Sequence, residues 1–242
     1  MDIEENHIHP RFNEVLLDND FVLLKLSQRV PLEANPHIRP ICLPRPGEDV
    51  KGQAAIVAGW GSIDDGHSNI ADVLLQANLT IMSNSDCLLD SKYPPHELTE
   101  NMLCARSPVG ESVQDACQGD SGGPLVARTG SGYYSLVGVV SWGYGCGVAE
   151  YPGVFARVTK VLLFYHNHNF ITIFHNHNRV TKVLLFYLNR SRWCDCKVLD
   201  WIAETTRDSW ATCPRPSPRP TSGSSRGSSQ AGSGEHVTYS SP

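Results

Sequence analysis

The run Asp115-Ala116-Cys117-Gln118-Gly119-Asp120-Ser121-Gly122-Gly123-Pro124-Leu125 constrains this chain more than any other stretch. A serine stands between an aspartate and two glycines, with a cysteine four residues before it. Gly122 and Gly123 leave the flanking backbone bare, so a substrate carbonyl can approach Ser121 closely. Gly119 can turn its N–H toward that carbonyl and, with the N–H of Ser121, form an oxyanion hole. A Gly-rich turn with an incidental serine would satisfy a shorter pattern. The full string, with Asp115 and Cys117 ahead of it, is far more specific.

The rest of the chain fits an all-β class. Its apolar runs are short and strand-like, and 20 glycines and 16 prolines punctuate its 242 residues. The net charge of −5 implies no basic face, which argues against nucleic acid as a partner. Eight cysteines, none in a paired C-x-x-C zinc pattern, favour a disulfide-bearing extracellular protein. No run approaches the ~20 apolar residues of a membrane span, so no membrane partner is expected. Met1-Asp2-Ile3-Glu4-Glu5 has acids where a signal peptide has Lys or Arg, and no apolar core follows. A disulfide-bearing chain without a visible export signal is expected to lack its front.

The serine run resembles the nucleophile loop of the trypsin/chymotrypsin family of serine proteases, and other segments extend the resemblance over roughly residues 7–160 and 198–208. His9-Pro10-Arg11-Phe12, followed by Asp18-Asn19-Asp20-Phe21-Val22-Leu23-Leu24-Lys25-Leu26, is similar to the family's aspartate segment. There Asp20 matches the residue that orients a catalytic histidine, with Asp18 as its local competitor. A carboxylate at the lip of an apolar strand is costly unless a partner satisfies it. Val30 to Pro44 resembles the connector between the family's two barrels, and Cys42 sits where many members bond a propeptide or light-chain cysteine. Ala54 to Gly61, ending in Gly59-Trp60-Gly61, is similar to the opening of the second barrel. Many members carry a cysteine pair at the positions of Ala55 and Ala127, and here both are alanine.

By the same resemblance, Cys87 pairs with Cys104 around a polar loop, and Cys117 pairs with Cys146. Ser141, Trp142 and Gly143 would offer backbone to an extended substrate. Gly143 and Gly153 would leave the specificity pocket open to a long side chain. Asp115, six residues before Ser121, stands where trypsin-like members place the pocket-floor carboxylate, which a substrate Arg or Lys would neutralise. Read without the resemblance, Asp115 could instead cap a turn. Asn78-Leu79-Thr80 is a glycosylation acceptor triplet, usable in a secreted chain.

Three departures stand against this pattern. The family's order is His, Asp, Ser, and neither His7 nor His9 has the context of its catalytic histidine. No sequence like the family's activation site is present, so Asp120 is expected to lack its ion-pair partner and the site to be zymogen-like or disordered. Arg157 to Tyr165 recurs as Arg179 to Tyr187, and His166 to Asn169 recurs as His175 to Asn178. Residues 161–197 therefore read as an atypical insertion after a partial peptidase domain at 1–160. The helix at 198–212 then closes that domain, and 213–242 forms a disordered Pro/Ser/Gly-rich tail. His166, His168, His175 and His177 could supply metal nitrogens, but they lie in low-complexity sequence without zinc spacing. No metal and no cofactor is expected.

The expected fold is a trypsin-like double β-barrel: its second barrel, a remnant of the first, and a C-terminal helix. The resemblance implies a secreted endopeptidase acting on protein or peptide substrates after Arg or Lys, through an acyl-enzyme on Ser121. Asp20 would orient a histidine not encoded here, and Gly119 and Ser121 would form the oxyanion hole. The rival reading is a catalytically dead pseudo-protease that binds basic peptides without cutting them. A piece with an exposed apolar face and no function of its own is the third.

Overall fold

Strands whose side chains alternate between two apolar surroundings account for the architecture. In β3 (Ala54–Gly59) the buried Ala55 and Val57 face the barrel interior while Ile56 packs into a second cluster outside it. The same period-two division places Leu125 and Ala127 of β6 (Pro124–Arg128) inside and Val126 outside. With β4 (Leu75–Ile81), β5 (Met102–Arg106), β7 (Tyr134–Trp142) and β8 (Gly153–Arg157), these strands close into an antiparallel barrel in the order β3-β4-β5-β8-β7-β6. Closure removes the exposed sheet edges that would otherwise invite pairing with another chain. Ala55 and Ala127 lie directly opposite each other across β3 and β6, and both are buried. This computed structural model describes residues 2–28, 30–31, 34–35, 38, 41–65, 69–130, 133–165 and 183–184. All fall in the first of two units, Met1–Thr212 and Cys213–Pro242.

Ahead of the barrel, β1 (Ile3–Ile8) and β2 (Val22–Leu26) form an antiparallel pair, and β9 (Val183–Leu184) adds to β2 in parallel. Phe21 and Leu23 are fully buried. They join Ile56, Val126, Leu136 and Val139 in the cluster on the outer face of the barrel. That packing covers apolar surface which a bare barrel would expose.

Between β4 and β5 lies α1 (Asn84–Asp90), a helix inside what reads from sequence as a polar loop. Ser83 caps it, its hydroxyl accepting from the Asp86 N–H at 2.9 Å, and Asp86 favours the first turn electrostatically. Its one buried residue is Cys87, bonded to Cys104 on β5.

The second helix, α2 (Val158–Tyr165), follows β8 directly and crosses the expected boundary at residue 161. Val158, Val161 and Leu162 are buried in the same cluster as Phe21 and Leu23. The first copy of the repeat thus forms a helix against the barrel, the role expected of residues 198–212. Those later residues, the tail at 213–242 and the four repeat histidines lie outside the described residues.

Candidate active site

The Ser121 turn hangs on β7. The Gly122 N–H donates to the Val140 carbonyl at 3.0 Å, and the Val140 N–H donates back to Gly123 at 2.9 Å. Within the turn, the Asp120 N–H donates to Cys117 and the Gly123 N–H to Asp120. Gly119 has φ +100, a conformation that a side chain would strain. A Cβ on Gly123 would come within 2.7 Å of the Asp120 carbonyl oxygen. Ser121 is exposed at the tip. No hydrogen bond among the described residues engages the amide N–H of Gly119 or of Ser121. Two free donors beside one exposed hydroxyl are what a developing oxyanion requires.

Among the described residues Asp120 has no ion-pair partner, and two backbone amides hold its carboxylate instead. Its Oδ1 accepts from the Gly61 N–H at 2.8 Å and its Oδ2 from the Cys117 N–H at 2.9 Å. Burial pushes its pKa up and the two amides oppose that shift. The Gly-Trp-Gly turn is now explained sterically. A Cβ on Gly59 would lie 1.9 Å from an Asp120 carboxylate oxygen, and one on Gly61 2.4 Å from the carboxylate.

Asp20 and Asp18 have different surroundings. Asp20 is 2% exposed and accepts from the buried Ser141 hydroxyl at 2.8 Å, joining the end of the β1–β2 pair to β7. Asp18 is taken up by Thr99, by both oxygens' bonds to Asn101 and by Asn19. Leu17 and Asn19 flank it at φ +53 and +54, so this corner is held in a costly left-handed conformation. His9 is buried, its Nδ1 accepting the Arg11 N–H at 3.3 Å, and burial pushes its pKa down.

Asp115 sits beneath the loop that follows β7. Its oxygens accept from the Ala116 N–H at 2.8 Å and from the Gly147 N–H at 3.0 Å. A Cβ on Gly153 would stand 2.7 Å from its Oδ1, so the carboxylate lies against that glycine's bare backbone. Burial pushes the Asp115 pKa up to about 6 despite the two amides. The Cys117–Cys146 disulfide ties the two segments together. A cavity of about 390 Å³ is lined by Asp64, Asp65, Asp115 and Asp120, among others. Ser121, Ser141, Trp142, Gly143 and Gly153 are not part of its lining.

Trp142 packs edge-on against Tyr93 at 5.0 Å, and Gly143 beside it is exposed. Sequence reasoning overlooked Tyr93. Its hydroxyl donates to the Pro152 carbonyl at 2.9 Å and accepts from the Tyr144 N–H at 3.4 Å, bracing the loops before and after Gly147. No local pattern around Tyr93 announces this, because both partners lie more than fifty residues away in sequence. Cys42 is buried and disulfide-bonded. Among the described residues no group of three or more His, Cys, Asp or Glu could hold a metal.

A closed antiparallel six-stranded barrel carrying this serine turn defines a β-barrel fold of the serine-protease class. Comparison with known proteins agrees: the Trypsin family profile matches residues 1–164, and the chain belongs to that family. It is 45% identical over 153 residues to Trypsin-1 of Astacus astacus, covering 63% of this chain and 60% of that protein. It is 42% identical over 154 residues to Transmembrane protease serine 9 of Rattus norvegicus, covering 64% of this chain and 14% of that protein. Inactive CLIP domain-containing serine protease A28 of Anopheles gambiae is 37% identical over 172 residues, covering 69% and 44%. The chain thus spans 60% of one of these relatives and much less of the others. Among the described residues no helix is long and apolar enough to cross a membrane.

Proposed function

We propose that this chain carries the substrate-binding and nucleophile half of a secreted serine endopeptidase that cleaves after Arg or Lys. The observation that carries the reading is the pair of free amides at Gly119 and Ser121 beside the exposed Ser121 hydroxyl. Ser121 Oγ attacks the scissile carbonyl, the carbonyl oxygen moves into the two amides, and the peptide nitrogen leaves as an amine. Asp115 binds the cationic side chain of the residue before the cut, and Ser141 to Gly143 pair with the substrate backbone. Asp20 orients the imidazole that takes the Ser121 proton. None of this chain's histidines matches that position by sequence context, so the chain alone binds a basic peptide without turning it over. The similarity to a relative named inactive keeps the binding-module reading in play.

Two probes separate these alternatives. Benzamidine, a small aromatic cation, should bind the chain and lose that binding in Asp115→Asn. A fluorophosphonate should leave Ser121 unlabelled in the chain alone. Labelling that disappears in Ser121→Ala would reveal an activated serine and overturn the claim that this chain is inert. Absence of benzamidine binding would remove the Arg/Lys assignment.

A further inference from the structure

We infer that Asn78 is a site of N-linked glycosylation, and that the sugar is added before β4 enters the barrel. Asn78-Leu79-Thr80 has the acceptor pattern, an asparagine with a hydroxyl residue two places on and no proline between. The structure adds where each member of the triplet goes. Asn78 lies in the middle of β4 and is exposed, while Ala77 and Leu79 on either side face the barrel core. The side-chain amide of Asn78 has no hydrogen bond among the described residues. It stands free on the outer face of the sheet, where a bulky substituent meets solvent.

The surroundings of Asn78 are unusual for a strand in a closed barrel. On one side it pairs with Ile56 of β3. On the other, β5 reaches β4 only at Thr80 and Ile81. Beside Asn78 the ladder is replaced by a side chain, the Gln114 Oε1 accepting the Asn78 N–H at 3.0 Å. Leu75 and Val113 line the cavity next to Gln76, Ala77 and Gln114, and they are 43% and 58% exposed. A glycan rooted at Asn78 therefore stands beside this break in the β4–β5 ladder and near the apolar rim of Leu75 and Val113.

The chemistry sets the order of events. The Asn78 Nδ2 forms a bond to C1 of a sugar carried on a lipid diphosphate. The C1–O bond to the diphosphate breaks, the lipid diphosphate leaves, and one amide proton passes to the transferase. An enzyme performing this must reach the Asn78 amide and the Thr80 hydroxyl on an open segment. In the folded chain Leu79 is 1% exposed and Thr80 is paired to both Ala54 and Arg106, so the triplet cannot be grasped. Transfer therefore precedes closure, and the folded barrel accommodates the product because the Asn78 side chain points away from it. The inference needs passage through a glycosylating compartment and does not depend on Ser121 chemistry.

The full chain is translated behind a cleavable signal sequence with endoplasmic-reticulum microsomes, and carries an added C-terminal acceptor triplet that reports translocation. Asn189-Arg190-Ser191 is the chain's other acceptor pattern, so the background is Asn189→Gln. The expected result is a second glycosidase-sensitive step in mobility, lost in Asn78→Gln and in Thr80→Ala and retained in Thr80→Ser. A glycosylated C-terminal reporter without any step that depends on Asn78 overturns the site. In the second arm, folded chain is offered to solubilised transferase with lipid-linked oligosaccharide. Asn78 should stay unmodified, and its modification there would overturn the order of events.

Discussion

Asp115 answers two opposed demands. A charged carboxylate is what would attract a substrate cation, yet burial holds its pKa near about 6 against an ordinary 3.8. The sign follows from linkage. As pH rises between those values the unfolded chain ionises first, so the folded state loses up to about 3 kcal/mol, and the loss is complete above the folded pKa. Asp115→Asn should therefore raise the thermal midpoint at neutral pH, offset by about 1 kcal/mol for the bond an amide nitrogen cannot accept from Gly147. That gain should vanish in scans below about pH 4, where the carboxyl is neutral in both states. Benzamidine affinity should fall as pH is lowered through about 6, which titration calorimetry across that range would measure. Asp120 yields a steric prediction. Gly61→Ala would push a methyl into the carboxylate it now binds, and should unfold the turn and abolish any benzamidine binding. Of these features, the serine turn was legible because unusual backbone demands unusual residues. The two amides that satisfy Asp120 were not, since one of them comes from 59 residues away. The choice between Asp18 and Asp20 also rested mostly on resemblance. What distinguishes their surroundings, Thr99 and Asn101 for one and Ser141 for the other, is remote in sequence.

At the scale of elements, one Val-Leu pair of the repeated string occurs in two conformations. Val161 and Leu162 are helical in α2, whereas Val183 and Leu184, at the same places in the second copy, pair as strand with β2. Intrinsic preference cannot distinguish identical strings, so tertiary contacts must decide. Helices below ~12 residues are marginal in water, and the free peptide Arg157–Tyr165 should give a coil-like circular dichroism spectrum. Leu162→Ala should cost about 2–5 kcal/mol in denaturant melts, because it empties a place beside Phe21 and Leu23. An unchanged midpoint would mean that α2 does not seal the barrel. This element was not anticipated because the repeat looked foreign, although its apolar spacing suits a core-facing helix. The capping serine of α1 was likewise visible at Ser83 with Asp86 three residues on, but prolines further along drew attention to a loop. The strands fared better: Phe21 to Leu26 and Ala54 to Gly59 are short apolar runs with clear turn signals, and β2 and β3 fall within them.

At the scale of the whole molecule, the disulfides whose two cysteines are both described, Cys87–Cys104 and Cys117–Cys146, brace the barrel at separations of 17 and 29 residues. In the chain-entropy account each constrains the unfolded state by about 3 kcal/mol, so reduction should lower the unfolding midpoint well beyond the effect of any single surface change. Native and reduced samples compared in urea would show it. The fold class was readable from sequence because closure of a barrel requires what the chain displays, short strands with period-two apolarity and frequent turns. The contribution of the β1–β2 pair was harder to see, since β1 is mostly exposed and acidic and only β2 carries the buried face. The acid-lined cavity has a consequence in time as well as in space. With Asp64, Asp65, Asp115 and Asp120 around one hollow and a net charge of −5 overall, a positively charged peptide feels the field before it touches the surface. Encounters should therefore quicken at low ionic strength and slow as salt screens them, while the lifetime of the complex changes much less.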